Sequence, residues 1–296
     1  MQLNTLHPLD RATPAPAARR VVPHGWRPTV TAGDLLATRG PVTVPPDWWS
    51  WAGAHGGLLV ALAAADAAAA APGVALRGST AQLLRPVRGP LTLTSQVVHA
   101  GRRLTTVRTE GTEAGRTAVV VHSTFGSPAA PTGGGASAPL PAPLVHAPED
   151  LAAFVPPADL VPFGGHVDIR PTDDVLPLAG TTTTARLTAW VRLRDEAGTP
   201  GPLRTTLLAD ALAPSLYAAM DQPAPVPTVE LSIHHRAPAV VGDDPAPAST
   251  RVAEEGWLLV NARTDWSDEG WVSEAVDLWD RAGTHVATSR QLRLVS

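Results

Sequence analysis

The stretch His55-Gly-Gly-Leu-Leu-Val-Ala-Leu-Ala-Ala-Ala-Asp-Ala-Ala-Ala-Ala-Ala71 reads as a helix that is apolar on almost every side. Such a helix has no broad polar face to offer water, so the pattern predicts a buried position. A short strand is expected before it, over Trp26–Ala32. Four more follow, over Thr80–Pro86, Leu91–His99, Arg103–Glu110 and Thr117–Gly126, with turn clusters at Ala100-Gly101 and Gly111–Gly115.

The same order then recurs. A strand over Thr184–Arg194 precedes a second helix over Leu203–Met220. Strands over Thr228–Arg236, Trp257–Thr264, Trp271–Trp279 and His285–Val295 come after it. In Ala185–Leu193 the small and apolar residues alternate with Arg186, Thr188, Trp190 and Arg192, as in a half-buried antiparallel strand. Pro214 lacks a backbone donor and is expected to kink or interrupt the second helix. A buried helix followed by antiparallel strands, twice over, implies an α+β fold in which a sheet wraps each helix. The exposed face of the first copy is then covered by the second.

Between the copies, Ser127–Pro157 is dense in Pro, Ala and Gly and reads as a solvated linker. Met1–Val22 reads as a loosely held tail. The chain therefore divides into a tail (1–22), a first unit (23–126), a linker (127–157) and a second unit (158–296).

Composition narrows the chemistry. The 296 residues carry a net charge of −4 with 17% charged side chains, which gives no basic footprint for nucleic acid or an anionic membrane. Every basic residue apart from histidine is Arg. With no cysteine, disulfides, thiolate metal sites and a Cys nucleophile are all excluded. The longest apolar run, Leu58–Ala71, is interrupted by Asp66 and falls short of a bilayer span. The N-terminus has no basic-then-apolar secretory pattern, so a cytoplasmic protein is expected. No Gly-x-Ser-x-Gly, phosphate-binding loop or dinucleotide fingerprint occurs. His234-His235 cannot chelate one metal ion, because neighbours on a strand point to opposite faces; neither metal nor cofactor is expected.

Several segments in this order resemble the acyl-CoA thioesterase II (TesB-like) double hot-dog family. They are His55-Gly56-Gly57, Leu83-Leu84-Arg85-Pro86, Gly101-Arg102-Arg103 and Phe125-Gly126 in the first copy. In the second they are Leu208-Ala209-Asp210, Thr228–Ser232, Trp271–Glu274 and Ala287–Gln291. The resemblance implies a catalytic Asp on the second helix, a Thr opening the next strand and a Gln on the last strand, matched here by Asp210, Thr228 and Gln291. Two departures stand out. A Pro-rich acidic insertion separates Arg236 from Trp257, and Glu230-Leu231 stands where the family has Asp-His. The second leaves Ser232 as an alternative hydroxyl.

Thioester hydrolysis needs an oriented water, a base and donors for the developing oxyanion. A carboxylate in a mostly apolar site is a stronger base than one in water, and Asp210 sits within Leu207–Leu212. Thr228 and Gln291 can hold the same water without competing for its proton. Each also has an ordinary reading, as a solvent-facing Asp, a strand-forming Thr and a surface Gln. In hot-dog enzymes the thioester carbonyl is aimed at a helix N-terminus, so His55, Gly56 and Gly57 are candidate binding residues. Trp49, between Trp48 and Trp51, is a candidate floor for an acyl pocket. Asp66 stands near the place in helix one that Asp210 holds in helix two, and a hydrogen-bonded structural role fits it best. Arg102-Arg103 at a hairpin tip reads as solvated.

The expected function is hydrolysis of a fatty acyl-CoA thioester to free acid and coenzyme A. One alternative is a non-catalytic acyl-thioester-binding protein; another is a biosynthetic enzyme acting on a carrier-bound thioester. Expected partners are the acyl-CoA or acyl-carrier substrate, with no nucleic acid and no membrane, and a further copy of the chain as an option.

Overall fold

The computed structural model describes residues 30–127, 140–180, 182–239 and 256–295. The tail at 1–22, the start of the expected first strand and residues 240–255 of the insertion after Arg236 lie outside them. So do Gly133–Gly135 of the expected linker.

A two-residue strand β1 (Val42–Thr43) and the small hairpin β2 (Trp49–Ser50) and β3 (Gly53–Ala54) come between α1 (Ala32–Ala37) and α2 (Gly56–Ala68). Four long strands follow: β4 (Ala75–Leu83), β5 (Pro90–Ala100), β6 (Leu104–Glu113) and β7 (Arg116–Gly126). The second copy brings β8 (Val167–Pro171), β9 (Arg186–Leu193), α3 (Gly201–Leu208), β10 (Thr228–Ala239), β11 (Leu258–Asp268), β12 (Trp271–Asp280) and β13 (His285–Leu294). The fold is α+β, as the repeated pattern implied.

The two sheets join edge to edge. β4 pairs antiparallel with β10, Leu231 opposite Ala81, and the result is one continuous sheet in the order β1-β5-β6-β7-β4-β10-β13-β12-β11-β9-β8. Helix α2 packs against β4 to β7 and against α3. Leu58 to Ala64 are buried without a break, which is what its uniformly apolar sequence requires. The hairpins β6–β7 and β11–β12 turn on Ala114-Gly115 and Glu269-Gly270, all four with positive φ. Type I′ turns need that conformation, and their twist matches that of the flanking strands.

Three sequence expectations give way here. The strand expected over Trp26–Ala32 is absent from its described part, because Thr31 caps α1 instead. Its Oγ1 accepts from the Asp34 N–H, while Asp34 accepts from the Thr31 N–H. The second helix ends at Leu208; the chain turns at Ala209-Asp210 and resumes as a short 3₁₀ helix, Ser215–Ala219, just after Pro214. Pro214 stands at the start of the 3₁₀ helix, whereas the α-helix has already ended six residues before it. Finally, part of the expected linker packs on the second unit. The Trp279 indole N–H donates to the Leu140 carbonyl at 2.9 Å and the Trp190 indole to the His146 carbonyl at 2.9 Å. Ala142, Val145 and Leu151 pack on those rings. Among the described residues, no helix is long and apolar enough to cross a membrane.

Candidate active site

A cavity of about 490 Å³ lies where the start of α2, the end of β4, the segment from Phe154 to Phe163 and the chain after α3 meet. Its walls are mainly apolar. His55, Asp210, Thr228 and Arg293 are among the few polar groups that reach it. A concave apolar pocket with a few convergent polar groups is the usual form of a small-molecule site.

Asp210 follows α3 by two residues, on the turn that ends the helix. Its Oδ2 accepts the Gly57 N–H at 2.9 Å, and its Oδ1 accepts from Arg293 Nη2 at 3.2 Å. The start of α2 thus holds an anion, and that anion is the protein's own carboxylate. The two glycines make this approach possible. A Cβ on Gly56 would lie 2.8 Å from Asp210 Oδ2, and one on Gly57 would lie 2.6 Å from the Leu207 carbonyl oxygen. The Gly56 N–H, at the cavity wall, has no acceptor among the described residues.

His55 caps α2: its Nδ1 accepts the Leu58 N–H at 3.3 Å. That fixes the tautomer, so Nε2 carries the proton and donates to the Asp210 carbonyl at 2.8 Å. The ring stacks on Phe163 with centroids 3.8 Å apart. Burial lowers the His55 pKa and outweighs the opposing pull of Asp210, while Arg293 adds to the lowering. His55 is therefore a neutral strut that joins α2 to the Asp210 turn.

Thr228 opens β10 next to a bulge between it and Glu230. Its Oγ1 donates to Gln291 Oε1 at 3.1 Å, and Gln291 Nε2 donates to the Ala209 carbonyl at 3.3 Å. The expected trio therefore gathers around one turn, with a division of labour. Asp210 and Thr228 line the cavity, whereas Gln291 sits behind them and ties Thr228 to the residue preceding Asp210.

Two profiles described as the acyl-CoA thioesterase N-terminal and C-terminal domains match residues 45–126 and 144–295. The chain belongs to the acyl-CoA thioesterase family. An uncharacterized protein of Mycobacterium tuberculosis is 31% identical over 266 residues, covering 81% of this chain and 85% of its own. A crystal structure of a proposed thioesterase II from Thermobifida fusca superposes with a TM-score of 0.73 at 27% identity, covering 90% of this chain and 98% of that one. A hot-dog protein of unknown function from Alicyclobacillus acidocaldarius gives a TM-score of 0.73 at 20% identity, with 90% and 97% covered. The double hot-dog architecture is thus shared with solved structures.

Other candidates in this thioesterase-family chain fall elsewhere. Trp49 does not line the cavity: its indole N–H donates to the Val44 carbonyl at 3.1 Å, and Ser50, Trp51 and Ala52 form the wall instead. Ser232 lies four residues beyond Thr228, and its Oγ donates to the Arg290 carbonyl at 3.5 Å, so Thr228 holds the Gln291 contact. Asp66 accepts from Ser95 Oγ at 2.6 Å, and Ser95 also meets Thr109 Oγ1 at 2.8 Å, a structural network. His235 is buried and His234 exposed, on opposite faces of β10. Arg102 and Arg103 are exposed at the β5–β6 tip.

Sequence reasoning missed Arg293 and Glu274 in this thioesterase-family site. Arg293 Nε donates to Glu274 Oε1 at 3.0 Å, and the Ser215 N–H donates to the other Glu274 oxygen. Burial opposes the charged guanidinium, but Glu274 and Asp210 together raise its pKa above the usual Arg range. The alternation of β13 did carry a signal. Ala287, Ser289, Gln291 and Arg293 share one buried face, so placing Gln291 inward places Arg293 inward too.

Proposed function

We propose that this chain hydrolyses acyl-CoA thioesters, with Asp210 and Thr228 holding the attacking water. The observation that carries the reading is the Asp210 carboxylate, set between the start of α2 and Arg293 at one end of an apolar cavity. The acyl chain occupies the apolar part of the cavity. The thioester carbonyl oxygen faces the Gly56 N–H, where a helix N-terminus stabilises developing negative charge. Asp210 takes a proton as the water oxygen bonds to the carbonyl carbon. The C–S bond then breaks, and the proton passes to the thiolate, which leaves as coenzyme A. Gln291 touches no reacting atom and is a positioning residue for Thr228.

The apolar walls support a fatty acyl group as substrate, a reading that belongs to lipid metabolism. The test is thiol release from a panel of acyl-CoA thioesters by the parent and Asp210→Asn. Asn keeps an acceptor for the Gly57 N–H but turns its NH2 toward Arg293, so an unfolding midpoint is measured alongside. In the folded variant the rate falls at least about a hundredfold, within the range for losing a general base. Equal rates in the two proteins would remove Asp210 from the mechanism.

One observation favours a second reading. Both Asp210 oxygens already accept hydrogen bonds from the protein, as in a site that binds an acyl thioester without cleaving it. Acyl-CoA binding with no thiol release at any chain length would establish that reading. Release only from a carrier-protein thioester would instead assign a biosynthetic role.

A further inference from the structure

Among the described residues, four other than glycine have positive φ: Trp51, Ala114, Leu178 and Glu269. Ala114 and Glu269 sit in the two type I′ hairpin turns. Trp51 and Leu178 are bulky residues for which this conformation is a true outlier. Each occupies a turn position that normally belongs to glycine. Trp51, φ 48°, is the first central residue between β2 and β3, and Ala52 after it is not in the positive region. A positive φ at that position alone marks a type II′ turn, where Gly is usual. Leu178, φ 61°, follows Pro177 in a turn closed by the Ala179 N–H on the Leu176 carbonyl. Pro then a positive φ marks a type II turn, where Gly or Asn is usual.

Both residues line the same cavity, and each is pinned there by another of its walls. The Trp51 N–H donates to the Leu160 carbonyl at 2.9 Å and the Leu178 N–H to the Tyr217 carbonyl at 2.7 Å. Trp51 is 39% exposed, at the rim, whereas Leu178 packs inward against the Tyr217 and Val226 cluster. Two large side chains thus stand where glycine would relieve the backbone, and what they contribute is apolar wall. We propose that Trp51 and Leu178 set the length of acyl chain that the cavity accepts, an inference that rests on the thioesterase reading.

The experiment measures kcat/KM for straight-chain acyl-CoA thioesters of increasing length on the parent, Trp51→Gly and Leu178→Gly. Trp51→Asn and Leu178→Asn serve as second variants, because Asn tolerates positive φ and keeps some side chain. The optimum moves to longer chains, with the long-to-short ratio rising about tenfold, the discrimination that a few methylene contacts supply. A purely structural role would lower all lengths in proportion. Unchanged profiles in the folded variants overturn the inference. Should the parent release no thiol from any substrate, hydrolysis fails as a reading. Calorimetric binding of the same series then decides: a shift toward longer chains in the variants supports the acyl-wall role, and no shift overturns it.

Discussion

Arg293 Nη2 lies 3.2 Å from Asp210 Oδ1 and 2.9 Å from Glu274 Oε1, with all three side chains almost wholly shielded from water. One guanidinium thus serves two buried carboxylates. Removing the guanidinium leaves two uncompensated carboxylates in a poorly solvated place.

Arg293→Met therefore destabilises the chain by about 3–5 kcal/mol. Glu274→Gln costs less, about 1–3 kcal/mol, because Arg293 still pairs with Asp210. Urea unfolding midpoints of the two variants check the order. Equal losses would mean that Asp210 does not share the guanidinium.

Thr228 is expected to act through its hydroxyl. Thr228→Val keeps the strand-forming shape but leaves Gln291 Oε1 without its donor, and kcat falls by roughly a hundredfold. Thr228→Ser restores most of the rate. If Val and Ser behave alike, the hydroxyl has no part in the reaction.

Gly57→Ala tests the contact between α2 and the end of α3. Ala favours a helix over Gly by up to about 1 kcal/mol, yet here the added Cβ would lie 2.6 Å from the Leu207 oxygen and 2.9 Å from Asp210 Cβ. Overpacking of that kind costs about 1–3 kcal/mol and displaces Asp210, so both stability and thiol release fall. The control is Gly201→Ala at the start of α3, where a Cβ meets nothing within 4 Å. It is neutral or raises stability by up to about 1 kcal/mol. Thermal unfolding of the pair gives the comparison.

His235 makes the fold acid-sensitive. Burial lowers its pKa to about 4, with His234 adding to the effect, and its Nε2 lies 3.3 Å from Thr206 Oγ1. Between pH 6.5 and 4 the unfolded chain binds a proton there that the folded chain does not, so stability falls as pH falls. The full contribution is present above about pH 6.5, and its loss runs near 1.4 kcal/mol per pH unit across that window. His55 and His166, whose pKa values are also lowered by burial, act in the same direction. Unfolding midpoints from pH 8 to 4 measure the slope. In His235→Phe the slope drops by about one proton.

Much of the architecture was legible in the chain itself. The apolar helix at His55–Ala71 and the alternation through Ala185–Leu193 follow from local physics: helical period and strand period. Asp210, Thr228 and Gln291 were legible as residues because a resemblance supplied their order. In the structure Gln291 shares a buried face of β13 with Ala287, Ser289 and Arg293, so the alternation that turns Gln291 inward also turns Arg293 inward.

The rest depended on where distant segments meet. Sequence places Asp210 in an apolar run, yet Arg293, 83 residues on, supplies its cation, and Gly57, 153 residues earlier, supplies its N–H. Trp49 and Trp51 are equally plausible as pocket aromatics from composition alone. Only the β2–β3 turn, with φ forced positive at Trp51, decides which one reaches the cavity. Sequence fixes secondary structure through near neighbours; a site is fixed by packing, and packing brings together groups whose spacing along the chain carries no signal.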